Sequence, residues 1–271
     1  MTAQIHPTAV IDATSVLADD VVVGPHAVVG AQVEIGPGTE IGAAAQVQGP
    51  TRIGAGNRVF PHACIGFEPQ DLKFRGEDTR LEIGDRNVFR ELCTIHRGTA
   101  KGGGVTRIAD DNLFMAYSHV AHDCQVGSRT IFANGATLAG HVLVEDDAAI
   151  SAFTSVHQFC RVGCHAYVGG YTVLTQDALP YVKTVGAKPA CYGINRIGLE
   201  RKGLSTEAIR RLDAAYRILV RSGKNLRDAL AILEAEHSGH PEVDHLITFA
   251  GSSERGIVRS TPGQKGGRGG G

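Results

Sequence analysis

Residues 17–47 read LADDVVVGPHAVVGAQVEIGPGTEIGAAAQV, and every sixth one, Leu17, Val23, Val29, Ile35, Ile41 and Val47, is aliphatic. The series reaches back through Ile11 to Ile5 and forward through Ile53, Val59 and Ile65. It resumes in phase at Ile83, Phe89 and Ile95, then restarts one residue out of phase at Ile108 and runs to Leu174. With apolar residues at 42% of the composition, chance yields about 26 such hits with a probability on the order of one in a billion or less, so the chain is a repeat protein.

Four residues after each aliphatic stands a small one, as at Ala9, Ala27, Ala45, Ser118, Ala136 and Thr154, with Asn57, Asn87 and Asn112 as the departures. One large and one small residue per six suits a narrow solenoid of short parallel strands, the aliphatic inside and the small residue at a corner. Glycine directly after the aliphatic, as at Gly24, Gly36 and Gly42, is expected to supply permissive backbone there. The pattern implies an all-β parallel β-helix over residues 1–190. Chains known to carry this signature wind left-handed, three hexapeptides to a triangular coil.

Two insertions interrupt the coils, one polar and charged at about 66–82, the other glycine-rich and basic at about 96–107. Loops on a rigid scaffold commonly carry function. After Leu174 helical periodicity takes over, giving a small C-terminal α-helical domain over 191–258. Ser205 or Thr206 caps a helix whose apolar face is Ile209, Leu212, Tyr216, Leu219 and Val220, a second carries Leu226, Ala229, Leu230 and Leu233, and a third starts at Pro241. Residues 259–271, rich in glycine, read as a disordered tail.

The 271 residues carry a formal net charge of −1, which makes no global case for nucleic acid or an anionic membrane. No stretch of eighteen apolar residues, the length that spans a bilayer, occurs, and Met1 leads straight into the first repeat without a signal-like segment. A soluble cytoplasmic protein is expected. The six cysteines contain no CxxC pair, and Cys93, Cys124 and Cys160 occupy small corner positions, which suits buried structural thiols in a reducing compartment.

Three hexapeptides per coil make residues eighteen apart neighbours at about 4.8 Å. His122 then stacks beneath Gly140, and Gly140 beneath Gln158, with His141 and His157 flanking the column and His119 just before His122. A histidine beside Asp123 can act as a general base near neutral pH, and a glycine one coil away offers an unobstructed N–H to an oxyanion. No serine or cysteine pairs with a histidine in this column, which favours direct attack by a substrate hydroxyl over a covalent enzyme intermediate. Two other readings stay open: a zinc site using His119, His122 and His141, as in the gamma-class carbonic anhydrases, and a noncatalytic scaffold.

Residues 110–124 (DDNLFMAYSHVAHDC), 133–142 (ANGATLAGHV) and 156–170 (VHQFCRVGCHAYVGG) closely resemble the UDP-N-acetylglucosamine O-acyltransferases, which catalyse the first step of lipid A synthesis. QDLKF (70–74), EIGDRN (82–87), TIHRGT (94–99) and YGINRIGLERKG (192–203) support the resemblance. It implies a homotrimer with active sites in clefts between subunits, moving a 3-hydroxyacyl chain from acyl carrier protein to the glucosamine 3-hydroxyl without a cofactor or metal. His122 would be the base, Asp123 its orienting partner and the Gly140 N–H the oxyanion donor. Asp71, Lys73, His119, His141, His157 and Gln158 would hold acyl chain and sugar, and Asn195 and Arg201 the pantetheine arm or nucleotide end. Gly170 would limit acyl length, its missing side chain admitting a long donor of about fourteen carbons laid along the coils. The related N-acyltransferase of the same pathway usually has a further N-terminal domain, whereas here the repeat begins at Ile5.

Overall fold

The computed structural model describes residues 3–261, and from Gln4 to Ile194 the chain is a coil of short strands in three sheets. Successive hexapeptides enter the first, second and third sheets in turn, which hold eleven, nine and eight strands. His119 pairs in parallel with Thr137, and Thr137 with Ser155, so positions eighteen apart are indeed neighbours. The first corner joins the first sheet to the second, the second corner joins the second to the third, and the third corner returns to the first.

The periodic side chains fill the interior. Ile65, Ile95, Val120, Leu138 and Leu174 are completely buried, and Phe89, Phe114 and Phe132 stack down the axis with ring centroids 5.0 and 4.7 Å apart. Truncating one of these aromatics to alanine costs about 3–5 kcal/mol, since a rigid coil cannot collapse around the cavity. Ile5 stays 47% exposed, having no coil beneath it.

The corner glycines have a different cause from the expected one. The left-handed residue stands two positions further on, at His26, His62, Tyr117, Asp123 and His141. Gly36 and Gly42 are instead sites of close coil-to-coil approach: a Cβ on Gly36 would lie 2.7 Å from the carbonyl of Gly54, and one on Gly42 would lie 2.7 Å from the Val59 oxygen. The three asparagines outside the small-residue rule form a ladder at the third corner. Asn57 Oδ1 accepts from Asn87 N at 2.9 Å, Asn87 Oδ1 from Asn112 N at 3.0 Å, and Asn112 Oδ1 from Thr130 N at 2.7 Å, so these buried amides extend the main-chain bonding.

An antiparallel pair, Val182–Val185 with Ala190–Ile194, closes the first sheet. The boundary expected at 190 therefore falls inside the last strand, because a hairpin there lacks the hexapeptide signal. The helical unit holds α1 (Arg196–Arg201), α2 (Thr206–Tyr216), α3 (Leu226–Glu236) and α4 (Pro241–Gly251). Ser205 caps α2 by accepting from Ala208 N, Pro241 opens α4, and a π-helical turn, Arg217–Arg221, extends α2. Arg161 fastens the unit to the coil: it bonds Asp177 Oδ2 at 2.8 Å and the Phe249 carbonyl at 2.7 Å, and lies over the Phe249 ring. Of the segment expected to be a disordered tail, Arg259 donates to the carbonyls of Leu219 and Lys224, and the Ser260 carbonyl accepts from Cys191 N at 2.8 Å. The packed chain thus reaches Ser260, and residues 262–271 of that expectation lie outside the described residues.

Candidate active site

Both insertions leave from the second corner. One runs between the strands Cys64–Phe67 and Arg80–Ile83, the other between Thr94–His96 and Val105–Ile108, and the next coil turns the same corner at His122 and Asp123. Two columns rise there along adjacent coils. His122, Gly140 and Gln158 make one, while Asp123, His141 and Phe159, all with left-handed backbone, make the other.

Asp123 is the hub. Its side chain is fully buried and accepts from His122 Nδ1 at 2.7 Å, from Thr99 N at 2.8 Å and from Thr99 Oγ1 at 2.6 Å. Its own N–H donates to Thr106 Oγ1 at 2.8 Å. Burial works to raise the Asp123 pKa, but hydrogen bonds from His122 and Thr99 outweigh it and hold the carboxyl below its ordinary value. Because an ionised carboxylate only accepts, Nδ1 of His122 donates this bond, and in the neutral imidazole the lone pair is therefore on Nε2. That nitrogen edge faces Gly140, whose N–H makes no hydrogen bond among the described residues.

The remaining histidines divide. His141 Nε2 lies 3.6 Å from Asp123 Oδ2 and its ring packs edge-on to His122 at 5.2 Å. Burial lowers its pKa, while the charges of Asp123 and Asp71 pull the other way, which puts the loop residue Asp71 within electrostatic reach of the column. His119 donates to or accepts from Thr94 Oγ1 at 2.7 Å, stacks edge-on to His96 at 5.1 Å, and has its pKa lowered by burial. The donor atoms of His122, Asp123 and His141 lie within 4.8 Å of one another, and His119 does not join them. His157 and Gln158 are exposed, with His157 Nδ1 3.1 Å from Arg255. Lys73 is exposed on the loop, its N–H donating to Asp71 Oδ1 at 2.9 Å.

Three of the expected residues lie elsewhere in the same chain. Asn195 donates to the His165 carbonyl at 3.1 Å at the third corner, where α1 also carries the exposed Arg201. Gly170 turns the first corner, one sheet away from the His122 column. An acyl groove running straight along the coils from His122 would therefore not meet it.

Thr99, Thr106 and His96 were invisible to the eighteen-residue arithmetic, because across the second insertion the step between paired coils is twenty-five, Thr94 to His119. The TIHRGT motif was the available signal. The buried thiols of Cys124 and Cys160 are pushed up to about 12 and about 11 by burial, which suits structural cysteines and not nucleophiles. A cavity of about 590 Å³ lined by Gln48, Phe67, Gln70, Thr94, His96 and Arg97 flanks the column beside the two loops.

Residues 177–258 match the family described as "Udp N-acetylglucosamine O-acyltransferase; Domain 2", and residues 106–140 match the bacterial transferase hexapeptide repeat. The chain is 52% identical to the acyl-(acyl-carrier-protein)–UDP-N-acetylglucosamine O-acyltransferase of Anaeromyxobacter sp. strain K, over 94% of this chain and 99% of that one. Its likeness to the enzyme of the same name from Thiobacillus denitrificans is 52%, over 95% and 100%. Among solved structures, the UDP-N-acetylglucosamine acyltransferase of Bacteroides fragilis superposes with a TM-score of 0.93 at 42% identity, covering 94% of this chain and all (100%) of that one. That of Francisella novicida gives 0.92 at 36%, covering 95% and 94%. The left-handed parallel β-helix with a small helical domain is thus the fold.

Proposed function

The chain belongs to the acyl-(acyl-carrier-protein)–UDP-N-acetylglucosamine O-acyltransferase family, and on that premise we propose that His122, Asp123 and Gly140 carry its chemistry. The enzyme moves an acyl chain from acyl carrier protein to UDP-N-acetylglucosamine, the first step of lipid A biosynthesis. His122 Nε2 takes the proton of the sugar 3-hydroxyl as that oxygen attacks the thioester carbonyl carbon. The tetrahedral oxyanion is met by the Gly140 N–H. As the carbon–sulfur bond breaks, the imidazolium returns its proton to the leaving pantetheine sulfur. The observation that carries this reading is the 2.7 Å bond from His122 Nδ1 to the buried Asp123, which fixes the tautomer that leaves Nε2 basic.

The acceptor sugar and the 3-hydroxyacyl chain lie against Asp71, Lys73, His119, His141, His157 and Gln158. Gly170 turns another corner and Asn195 and Arg201 begin and end α1, away from the His122 column, which supports a homotrimer in which they serve the site of a neighbouring copy. The reaction belongs in the cytoplasm with the carrier protein, and among the described residues no helix is long and apolar enough to cross a membrane.

The test is incubation with UDP-N-acetylglucosamine and a panel of 3-hydroxyacyl carrier proteins, with the product followed by mass. His122→Ala should lose on the order of a hundredfold or more in turnover while remaining folded. Mixing His122→Ala with Arg201→Ala chains should restore activity in some mixed assemblies, since one intact site can then form from two copies. Turnover within a few-fold of the parent in His122→Ala would remove that residue from the mechanism.

A further inference from the structure

A second cluster lies at the third corner, away from the chemistry. Glu145 follows the strand Leu143–Val144, and Cys164 turns the same corner one coil on, its N–H donating to Glu145 Oε2 at 2.7 Å. From the helical unit, α4 brings His245 down so that its Nε2 lies 2.8 Å from the same Glu145 oxygen. The anchoring of the Phe249 carbonyl by Arg161, one turn further along α4, holds the helix at that height. A carboxylate oxygen, a thiol sulfur and an imidazole nitrogen thereby come within 4.8 Å of one another.

We propose that Glu145, Cys164 and His245 bind a thiophilic divalent cation, Zn²⁺ by the chemistry of the donors, and that the ion ties the helical unit to the β-helix. A mixed sulfur, nitrogen and oxygen set suits Zn²⁺ and disfavours Mg²⁺ or Ca²⁺, which take oxygen alone. Zinc bonds of about 2.0–2.3 Å hold tetrahedral ligand atoms roughly 3.5 Å from one another, so an ion must part His245 Nε2 from the Glu145 oxygen, now 2.8 Å away, while the thiol already lies within 4.8 Å of both. All three side chains line a groove of about 810 Å³ on the third sheet, which gives an ion a way in and leaves room for water as a fourth ligand. The thiol loses its proton on binding. The site stands apart from the His122 column, so the proposal does not depend on the catalytic reading.

Cobalt(II) added to the full-length protein under a non-thiol reductant reads the site directly, because a thiolate ligand gives a near-ultraviolet charge-transfer band that a histidine and carboxylate set cannot. The parent and His122→Ala should both show the band at one equivalent, and Cys164→Ser should lose it. His245→Asn, a change on a part-exposed helix surface that keeps the thiol, should weaken Zn²⁺ binding at least tenfold in competition with a chromophoric chelator. Absence of the band in the parent, or a band undiminished in Cys164→Ser, overturns the proposal and leaves His245 and Glu145 as an ordinary ion pair. Unchanged Zn²⁺ affinity in His245→Asn does the same should Cys164→Ser not fold.

Discussion

A Cβ built on Gly140 would lie 2.5 Å from Cε1 of His122 and 2.8 Å from its Nε2. The imidazole cannot retreat, since its other nitrogen is bound to a carboxylate whose side chain is fully buried. Gly140→Ala should therefore turn the His122 ring aside and, on the proposed mechanism, crowd the place of the oxyanion in one step. A fall in kcat of about a hundredfold is expected from a misplaced reacting group, with KM for the sugar changing far less and the thermal midpoint nearly kept. Steady-state kinetics beside a melting curve decide it. A variant that loses sugar binding and leaves kcat alone would show that this approach shapes the pocket and not the base.

Thr99 touches Asp123 twice, through its N–H and its hydroxyl, and reaches no other part of the column. Thr99→Val keeps the shape and the main-chain bond but removes the bond to a charged group, worth about 1.5–3 kcal/mol. If that bond serves to aim Asp123 at His122, turnover should drop roughly ten- to a hundredfold, and Thr99→Ser should recover most of it. Equal losses in both variants would point to packing of the threonine methyl instead.

The scaffold was readable because a period of six leaves no alternative: one slip would turn every aliphatic outward. The His122, Gly140 and Gln158 column was readable for the same reason, as Phe159 N bonding to the Gly140 carbonyl and His141 N to that of His122 attest. Thr99 and His96 escaped because an insertion cancels the arithmetic on which stacking depends. Arg211 is bound to Glu242, Arg217 to Asp213 and Lys202 to Asp147, so the charge offered to a carrier protein is smaller than the sequence suggests. Composition cannot reveal which cations are already paired.

His96 is buried beside His119, and burial first, then the charges of His119 and His122, lower its pKa to about 4. A histidine depressed in the folded state contributes stability that is whole above its unfolded value of about 6.5 and is lost as pH falls toward 4, where only the unfolded chain takes up the proton. The linkage amounts to about 3 kcal/mol across that window. Urea midpoints at fixed protein concentration should fall between pH 6.5 and 4, and the slope traceable to His96 should vanish above 6.5. His96→Gln should flatten the acid slope, leaving the contributions of His119, His141 and His165, each lowered by burial in the same direction. An identical slope in the variant would trace acid sensitivity elsewhere.

Gly170 lacks the left-handed backbone of its neighbour Tyr171, and a Cβ added there would meet only the Ala152 carbonyl oxygen, at 3.2 Å. A larger side chain therefore asks the Ala152 carbonyl to give by a few tenths of an ångström and projects from the first corner. Tyr171 does not close that space, because its ring is 70% exposed and stacks on Phe153 of the coil before, centroids 5.3 Å apart. If a neighbouring copy presents Gly170 to the end of the acyl chain, Gly170→Met should keep its thermal midpoint and move the preference to a shorter 3-hydroxyacyl donor. Each methylene excluded from the groove forfeits about 0.8 kcal/mol, or roughly fourfold in kcat/KM, so a loss of two to four methylenes spans one to two orders of magnitude. The measurement is kcat/KM across donors of increasing length for parent and variant side by side. The parent should favour the long donors, and the two profiles should separate only beyond the length at which the methionine is met. Superimposed profiles would mean that the groove ends elsewhere, and that glycine at this corner reflects the packing of the coils.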